Sequence, residues 1–218
     1  MPVDFKLYLI TDRKQVKMPL AAAVRLALEG GVRAVQLREK DLPIREMLLL
    51  AQELRAITKE FGARLFINDR VDVARAVNAD GVHLGHQSMP VKAVRKTVGK
   101  DMLIGVSTHS IEEAKAADSG WADFITIGPI FDTPSKARFG YPVGLYIINQ
   151  LKNELNIPFY AIGGIKSGDI AQVMSAGASG VAVISAIMAA EDIKKASSKL
   201  IEAIAMIEKM ICNSCSLR

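Results

Sequence analysis

The sequence predicts an α/β fold, a single (β/α)8 TIM barrel formed by residues 1–218. Three observations carry the prediction. Short β-rich runs recur along the chain with helical patterns between them. Most of these runs are apolar on consecutive positions, as strands buried on both faces of a parallel sheet require. Glycines or capping residues close the intervening segments. A doubly wound open sheet would alternate similarly but usually uses fewer strands.

The strand candidates begin with Leu7–Thr11, Val35–Arg38, Arg64–Asn68 and Gly81–Leu84. Leu103–Thr108, Phe124–Ile127, Phe159–Ile162 and Val181–Ile184 follow. Helical patterns include 47–54 and 111–117. The helix before the second strand is expected to end at Gly30-Gly31, and the one before the eighth near Gly177 and Gly180. Ser110 is placed to cap the helix after the fifth strand, with Glu113 completing a capping box.

The 218 residues carry a formal net charge of +5, and half are hydrophobic, enough for a large core. Lys and Arg are dispersed among Asp and Glu, and only four Tyr and one Trp are available for stacking on bases. Nucleic-acid binding is therefore not expected. Met1 to Lys14 lacks the apolar stretch of a secretory leader. The longest uncharged apolar run, Val181 to Ala190, falls well short of the ~20 residues that span a bilayer. A cytoplasmic location without membrane association is expected. The two cysteines, Cys212 and Cys215, form a C-terminal Cys-x-x-Cys, half of a structural zinc site at most. Residues 212–218 are expected to be a loose tail.

In such barrels chemistry sits on the loops after the strands. Polar residues and glycines stand there: Asp12-Arg13, Glu39-Lys40, Asp69-Arg70, Gly85-His86-Gln87, His109, Gly128-Pro129, Gly163-Gly164 and Ser185. Arg38 and Lys40 would share one face of the second strand's end. Two cations at a strand mouth suit a polyanion such as a diphosphate.

Gly163-Gly164 and Ile184-Ser185, after strands seven and eight, suit a phosphate cradle, because glycines let backbone N–H groups approach an anion. The other reading of the glycine pair is a tight turn at positive φ. Asp69 is a candidate Mg²⁺ ligand, since Mg²⁺ takes one or two carboxylates plus waters and phosphates. The alternative is that Asp69 caps the helix starting at Val71. Thr133-Pro134-Ser135-Lys136 offers two hydroxyls and an ammonium to phosphoryl oxygens, in a loop that runs through Pro142 and is long enough to act as a lid. Of the three histidines, His83 lies inside a strand and reads as a core residue. His109, beside Ser107 and Thr108 at a strand end, reads either as a proton shuttle or as a structural hydrogen-bonding residue.

The segments 8–13, 36–40, 68–72, 79–85, 105–109, 127–131, 161–165 and 180–186 together resemble the superfamily of thiamine-phosphate synthase and thiazole tautomerase, more closely the synthase. The resemblance implies that Gln36, Arg38, Lys40, Asn68, Ser107 and Lys136 bind an aminopyrimidine diphosphate. It implies that Asp69 holds Mg²⁺ and that Thr133, Ser135, Gly164, Ile184 and Ser185 bind a thiazole phosphate. The implied reaction is a transfer: hydroxymethylpyrimidine diphosphate and hydroxyethylthiazole phosphate give thiamine phosphate and pyrophosphate. Arg38, Lys40, Lys136, Ser107 and His109 are the residues expected to serve catalysis. Partners are small phosphorylated molecules, and a homo-oligomer is compatible with the pattern.

One departure stands out. The synthase pattern carries a second metal-binding aspartate where this chain has Ser88. The departure resembles the tautomerase branch, which acts on a carboxylated thiazole phosphate. A non-catalytic ligand-binding or regulatory relative is a third reading.

Overall fold

The computed structural model describes residues 2–133 and 142–215, with side chains described as far as Ile211. Eight parallel strands close into a barrel in sequence order. They are β1 (Leu7–Ile10), β2 (Ala34–Leu37), β3 (Arg64–Asn68), β4 (Gly81–Leu84), β5 (Leu103–Thr108), β6 (Phe124–Ile127), β7 (Phe159–Ile162) and β8 (Gly180–Val183). The helices between and after them are α1 (Leu20–Glu29), α2 (Ile44–Glu60), α3 (Val71–Ala76), α4 (Val91–Val98), α5 (Ile111–Ser119), α6 (Tyr146–Leu151), α7 (Ile170–Ser175), α8 (Ser185–Met188) and α9 (Ile193–Cys215). The sequence reading of eight strand–helix units agrees with this order.

Two apolar layers follow from strand alternation. Outward residues such as Val35, Leu37, Leu65 and Ile67 pack beneath the helices. Inward residues form a separate cluster of Phe5, Tyr8, Ile10, Ala34, Phe66, Leu103, Phe124, Tyr160 and Ala182. Its rings meet mostly edge to face, Phe66 on Phe124 at 5.3 Å for example, the arrangement aromatic quadrupoles favour. Large inward rings need small neighbours on adjacent strands. A Cβ on Gly81 would stand 2.5 Å from the Phe66 ring, and one on Gly105 would stand 2.4 Å from the Phe124 ring. The glycines are therefore part of the packing of the barrel interior.

Several details differ from the sequence reading. β2 ends at Leu37, so strand alternation does not extend to Lys40; Arg38 follows the inward series of Ala34 and Gln36, whereas Lys40 lies exposed in a turn. Gly180 belongs to β8, and α7 ends before Ala176 and Gly177. The α5 cap is half of a capping box: Ser110 accepts from the Glu113 N–H at 3.2 Å, but the Glu113 carboxylate accepts from the His109 N–H at 2.7 Å. Helix α9 continues through Cys215, so the first part of the expected loose tail is helical. Among the described residues no helix is long and apolar enough to cross a membrane.

Candidate active site

All eight strands run parallel, so the segments that follow them emerge at one rim of the barrel. Arg38, Asp69, Ser88, His109, Gly163, Gly164, Ile184 and Ser185 all lie in those segments. Thr133 lies in the segment after β6, at the edge of the described residues. Ser135, Lys136 and the rest of the expected lid through Tyr141 lie outside them.

A polar chain crosses the barrel interior just below this rim. Gln36 Nε2 donates to the Tyr8 hydroxyl at 3.0 Å. The Tyr8 hydroxyl lies 3.3 Å from His83 Nδ1. His83 Nε2 lies 3.0 Å from Ser107 Oγ. Gln36 and Ser107, both assigned to the pyrimidine by resemblance, are thus linked through Tyr8 and His83. Burial pushes the His83 imidazole down to about 3; the nearby Asp69 charge opposes that shift and the Arg38 charge adds to it. His83 is accordingly neutral near pH 7, a hydrogen-bonded core histidine, as its position within a strand predicted.

Asp69 follows β3 with φ 60°, a backbone region that non-glycine residues rarely occupy. This geometry turns its carboxylate along the rim and away from α3. Oδ2 accepts from Asn68 Nδ2 at 2.7 Å, and Oδ1 accepts from the Gly85 N–H at 3.3 Å and from the Ser88 hydroxyl. The α3 cap position belongs to Arg70, which makes no side-chain cap bond. The helix-capping reading of Asp69 is therefore incorrect. Asp72 pairs with Arg70 at the surface, away from this group.

The donor set beside Asp69 is one carboxylate and one hydroxyl. Magnesium takes few protein ligands and keeps several waters, so this sparse oxygen set fits it. Among the described residues there is no cluster of three or more His, Cys, Asp or Glu that would mark a richer metal centre.

The cations of the second loop have no side-chain ion pair among the described residues. Arg38 donates its backbone N–H to Thr11 Oγ1 at 3.0 Å, and its side chain and that of Lys40 stay clear of salt bridges. Between them Glu39 is 3 % exposed. Its carboxylate accepts from the Thr11 hydroxyl at 2.7 Å, from the Arg13 N–H at 3.1 and 3.2 Å, and from Arg13 Nη1 at 3.2 Å. Arg13 also pairs with Asp41 at 2.6 Å. Sequence reasoning placed Asp12-Arg13 and Glu39-Lys40 at strand ends but did not see that Glu39 joins the two loops. A lone carboxylate set directly between two cations was the available signal.

Across the barrel, Gly163 and Gly164 both adopt positive φ, 100° and 69°. A Cβ on Gly163 would stand 2.6 Å from Pro129, and one on Gly164 would stand 2.7 Å from the Asp132 carbonyl. The tight-turn requirement at this pair is real, and it brings the β7 loop against the β6 loop. Ser185 opens α8, directly after Ile184. His109 Nδ1 lies 2.5 Å from the Gly128 carbonyl. A carbonyl only accepts, so Nδ1 carries the proton and joins the β5 and β6 loops.

The family described as thiamine monophosphate synthase matches residues 7–187. The chain belongs to this family. It is 53% identical over 200 residues to a provisionally assigned thiamine-phosphate synthase of Geobacter sulfurreducens, covering 91% of this chain and 94% of that one. It is 47% identical over 192 residues to the thiamine-phosphate synthase of Halalkalibacterium halodurans, covering 88% and 91%. Among solved structures it superimposes on the thiamine phosphate pyrophosphorylase of Pyrococcus furiosus with a TM-score of 0.85 at 41% identity, over 93% of this chain and 96% of that one. The (β/α)8 fold and the family expected from the sequence are both found.

Proposed function

We propose that this chain is a transferase that couples hydroxymethylpyrimidine diphosphate with hydroxyethylthiazole phosphate, giving thiamine phosphate and pyrophosphate, in the cytoplasm. The observation that carries the reading is identity of 47% across 88% of the chain to a thiamine-phosphate synthase. Arg38 and Lys40 at the barrel rim, which make no side-chain ion pair among the described residues, agree with it, because a tautomerase has no diphosphate for them to hold.

In this reading Gln36, Asn68 and Ser107 hold the aminopyrimidine. Arg38 and Lys40, joined by Lys136, hold the diphosphate. Thr133, Ser135, Gly164, Ile184 and Ser185 hold the thiazole phosphate. The thiazole nitrogen gives its electron pair to the pyrimidine methylene carbon. The bond from that carbon to the diphosphate oxygen breaks, and its electron pair leaves with pyrophosphate. No proton need be removed to form the thiazolium product, so no strong base is required. His109, with Nδ1 committed to Gly128, can contribute only through Nε2.

Negative charge grows on the leaving oxygens, and fixed cations favour that state over the ground state. Mg²⁺ held by Asp69 beside Ser88 would supply further positive charge against the departing group. The remaining acceleration comes from holding two phosphorylated substrates in line.

The decisive assay is Mg²⁺-dependent formation of thiamine phosphate from the two purified substrates. Turnover of a carboxythiazole phosphate alone would replace the synthase by the tautomerase, the reading that Ser88 favours. Binding without turnover would favour the non-catalytic relative. Lys136→Ala should slow coupling far more than Cys212→Ala; equal, small effects would remove Lys136 from the site.

A further inference from the structure

We propose that Glu39 is a positioning residue that sets the backbone carrying Arg38 and Lys40 for diphosphate binding; this rests on reading the rim as a diphosphate site. A carboxylate paired with either neighbouring cation would lower the positive charge offered to an anion. Glu39 pairs with neither. It is buried, and both of its oxygens are taken by Thr11 and Arg13. Its charge is met by the Arg13 guanidinium, which also reaches Asp41. The side chains of Arg38 and Lys40 are thereby left available to a ligand.

The same contacts fix geometry. The Thr11 hydroxyl donates to Glu39 Oε1 and accepts from the Arg38 N–H. One hydroxyl therefore ties residues 38 and 39 to the end of β1. Neither Thr11 nor Glu39 is assigned to a substrate. They act through the backbone of residues that are.

The test is calorimetric titration of inorganic pyrophosphate in MgCl2, together with steady-state kinetics in both substrates. Wild-type binding that Arg38→Ala weakens establishes the rim as the anion site. Absence of that binding, or indifference to Arg38→Ala, would overturn the diphosphate reading and this inference together. Given the site, Glu39→Ala should weaken pyrophosphate binding about tenfold and raise KM for the pyrimidine diphosphate, leaving KM for the thiazole phosphate unchanged. Glu39→Gln, which keeps one acceptor oxygen, should recover part of the loss. Thr11→Val tests the same linkage without touching the carboxylate, and carries the test if Glu39→Ala does not fold. Unchanged pyrophosphate affinity in Thr11→Val and Glu39→Gln, or equal weakening toward both substrates, would show that Glu39 only stitches two loops.

Discussion

The Ser88 hydroxyl donates to the Asp69 carboxylate. It does so at the position where the synthase pattern carries a second acidic residue, so Ser88 is placed to share any ion that Asp69 holds. A hydroxyl contributes an oxygen but no charge. A carboxylate there would add charge toward a cation and, without the cation, would repel Asp69.

Ser88→Asp should therefore strengthen Mg²⁺ dependence. The expected change is a fall of about tenfold in half-saturating Mg²⁺, equivalent to roughly 1.4 kcal/mol. A larger Mg²⁺-induced rise in melting temperature should accompany it and needs no substrate. Identical Mg²⁺ curves for wild type and variant would place residue 88 outside the ion's surroundings.

His83 makes stability depend on pH. Its imidazole is pushed down to about 3 from an ordinary 6.5. Between those values the unfolded chain binds a proton that the folded chain does not. The contribution is complete above the unfolded value and is lost as pH falls toward 3, with a slope of about 1.4 kcal/mol per pH unit from this group. Denaturation free energies from pH 7 to pH 4 should fall less steeply in His83→Gln than in wild type. Parallel curves would mean that His83 protonates readily in the folded state.

Much of the fold was legible because buried parallel strands have few ways to appear in sequence. Runs such as Leu65-Phe66-Ile67 and Val181-Ala182-Val183 can be satisfied only with apolar partners on both faces. The residues of the rim were legible because polar side chains directly after such runs need a reason to be there. What remained hidden depended on contacts between distant segments. Nothing local to Asp69 shows that a left-handed backbone turns its carboxylate from its own helix toward Ser88. Nothing local to Glu39 shows that its partners lie on the β1 loop. The Glu113 carboxylate likewise passed over the expected cap for His109 N–H, a choice between neighbouring donors that spacing does not decide.

Gly105 should tolerate no side chain. A Cβ there would stand 2.4 Å from the Phe124 ring and 2.5 Å from His83 Nδ1, and the ring is enclosed by Tyr8, Phe66 and Tyr160. Gly105→Ala should cost about 1–3 kcal/mol in chemical denaturation, the usual range for overpacking. Because His83 bonds to Ser107, the same change should raise KM for the pyrimidine substrate. Full stability in the variant would mean that the barrel interior has more room than its aromatic packing implies.

At the opposite end of the barrel, a reciprocal pair of bonds recurs between neighbouring strands. The Asp80 N–H donates to the Leu65 carbonyl at 2.9 Å, and the Asp80 carboxylate accepts from the Leu65 N–H at 2.8 Å. Asp123 does the same with Ile104, at 2.8 and 2.6 Å. Ser179 repeats it with Phe159, at 2.9 and 3.2 Å, using a hydroxyl. Each ring joins the residue before an even strand to a residue at the start of the odd strand before it. The two aspartates also hold partly buried arginines, Arg55 and Arg95. Asp123→Ala should cost about 2–3 kcal/mol, since it leaves the Ile104 N–H and Arg95 short of a partner. Asp123→Ser, copying Ser179, should restore the backbone bond and cost less. Both variants should keep kcat/KM within about twofold once folded, because contacts at this end of such a barrel serve stability and the proposed site lies at the other rim. A kcat/KM loss in Asp123→Ser larger than its loss of stability would contradict that division of the barrel.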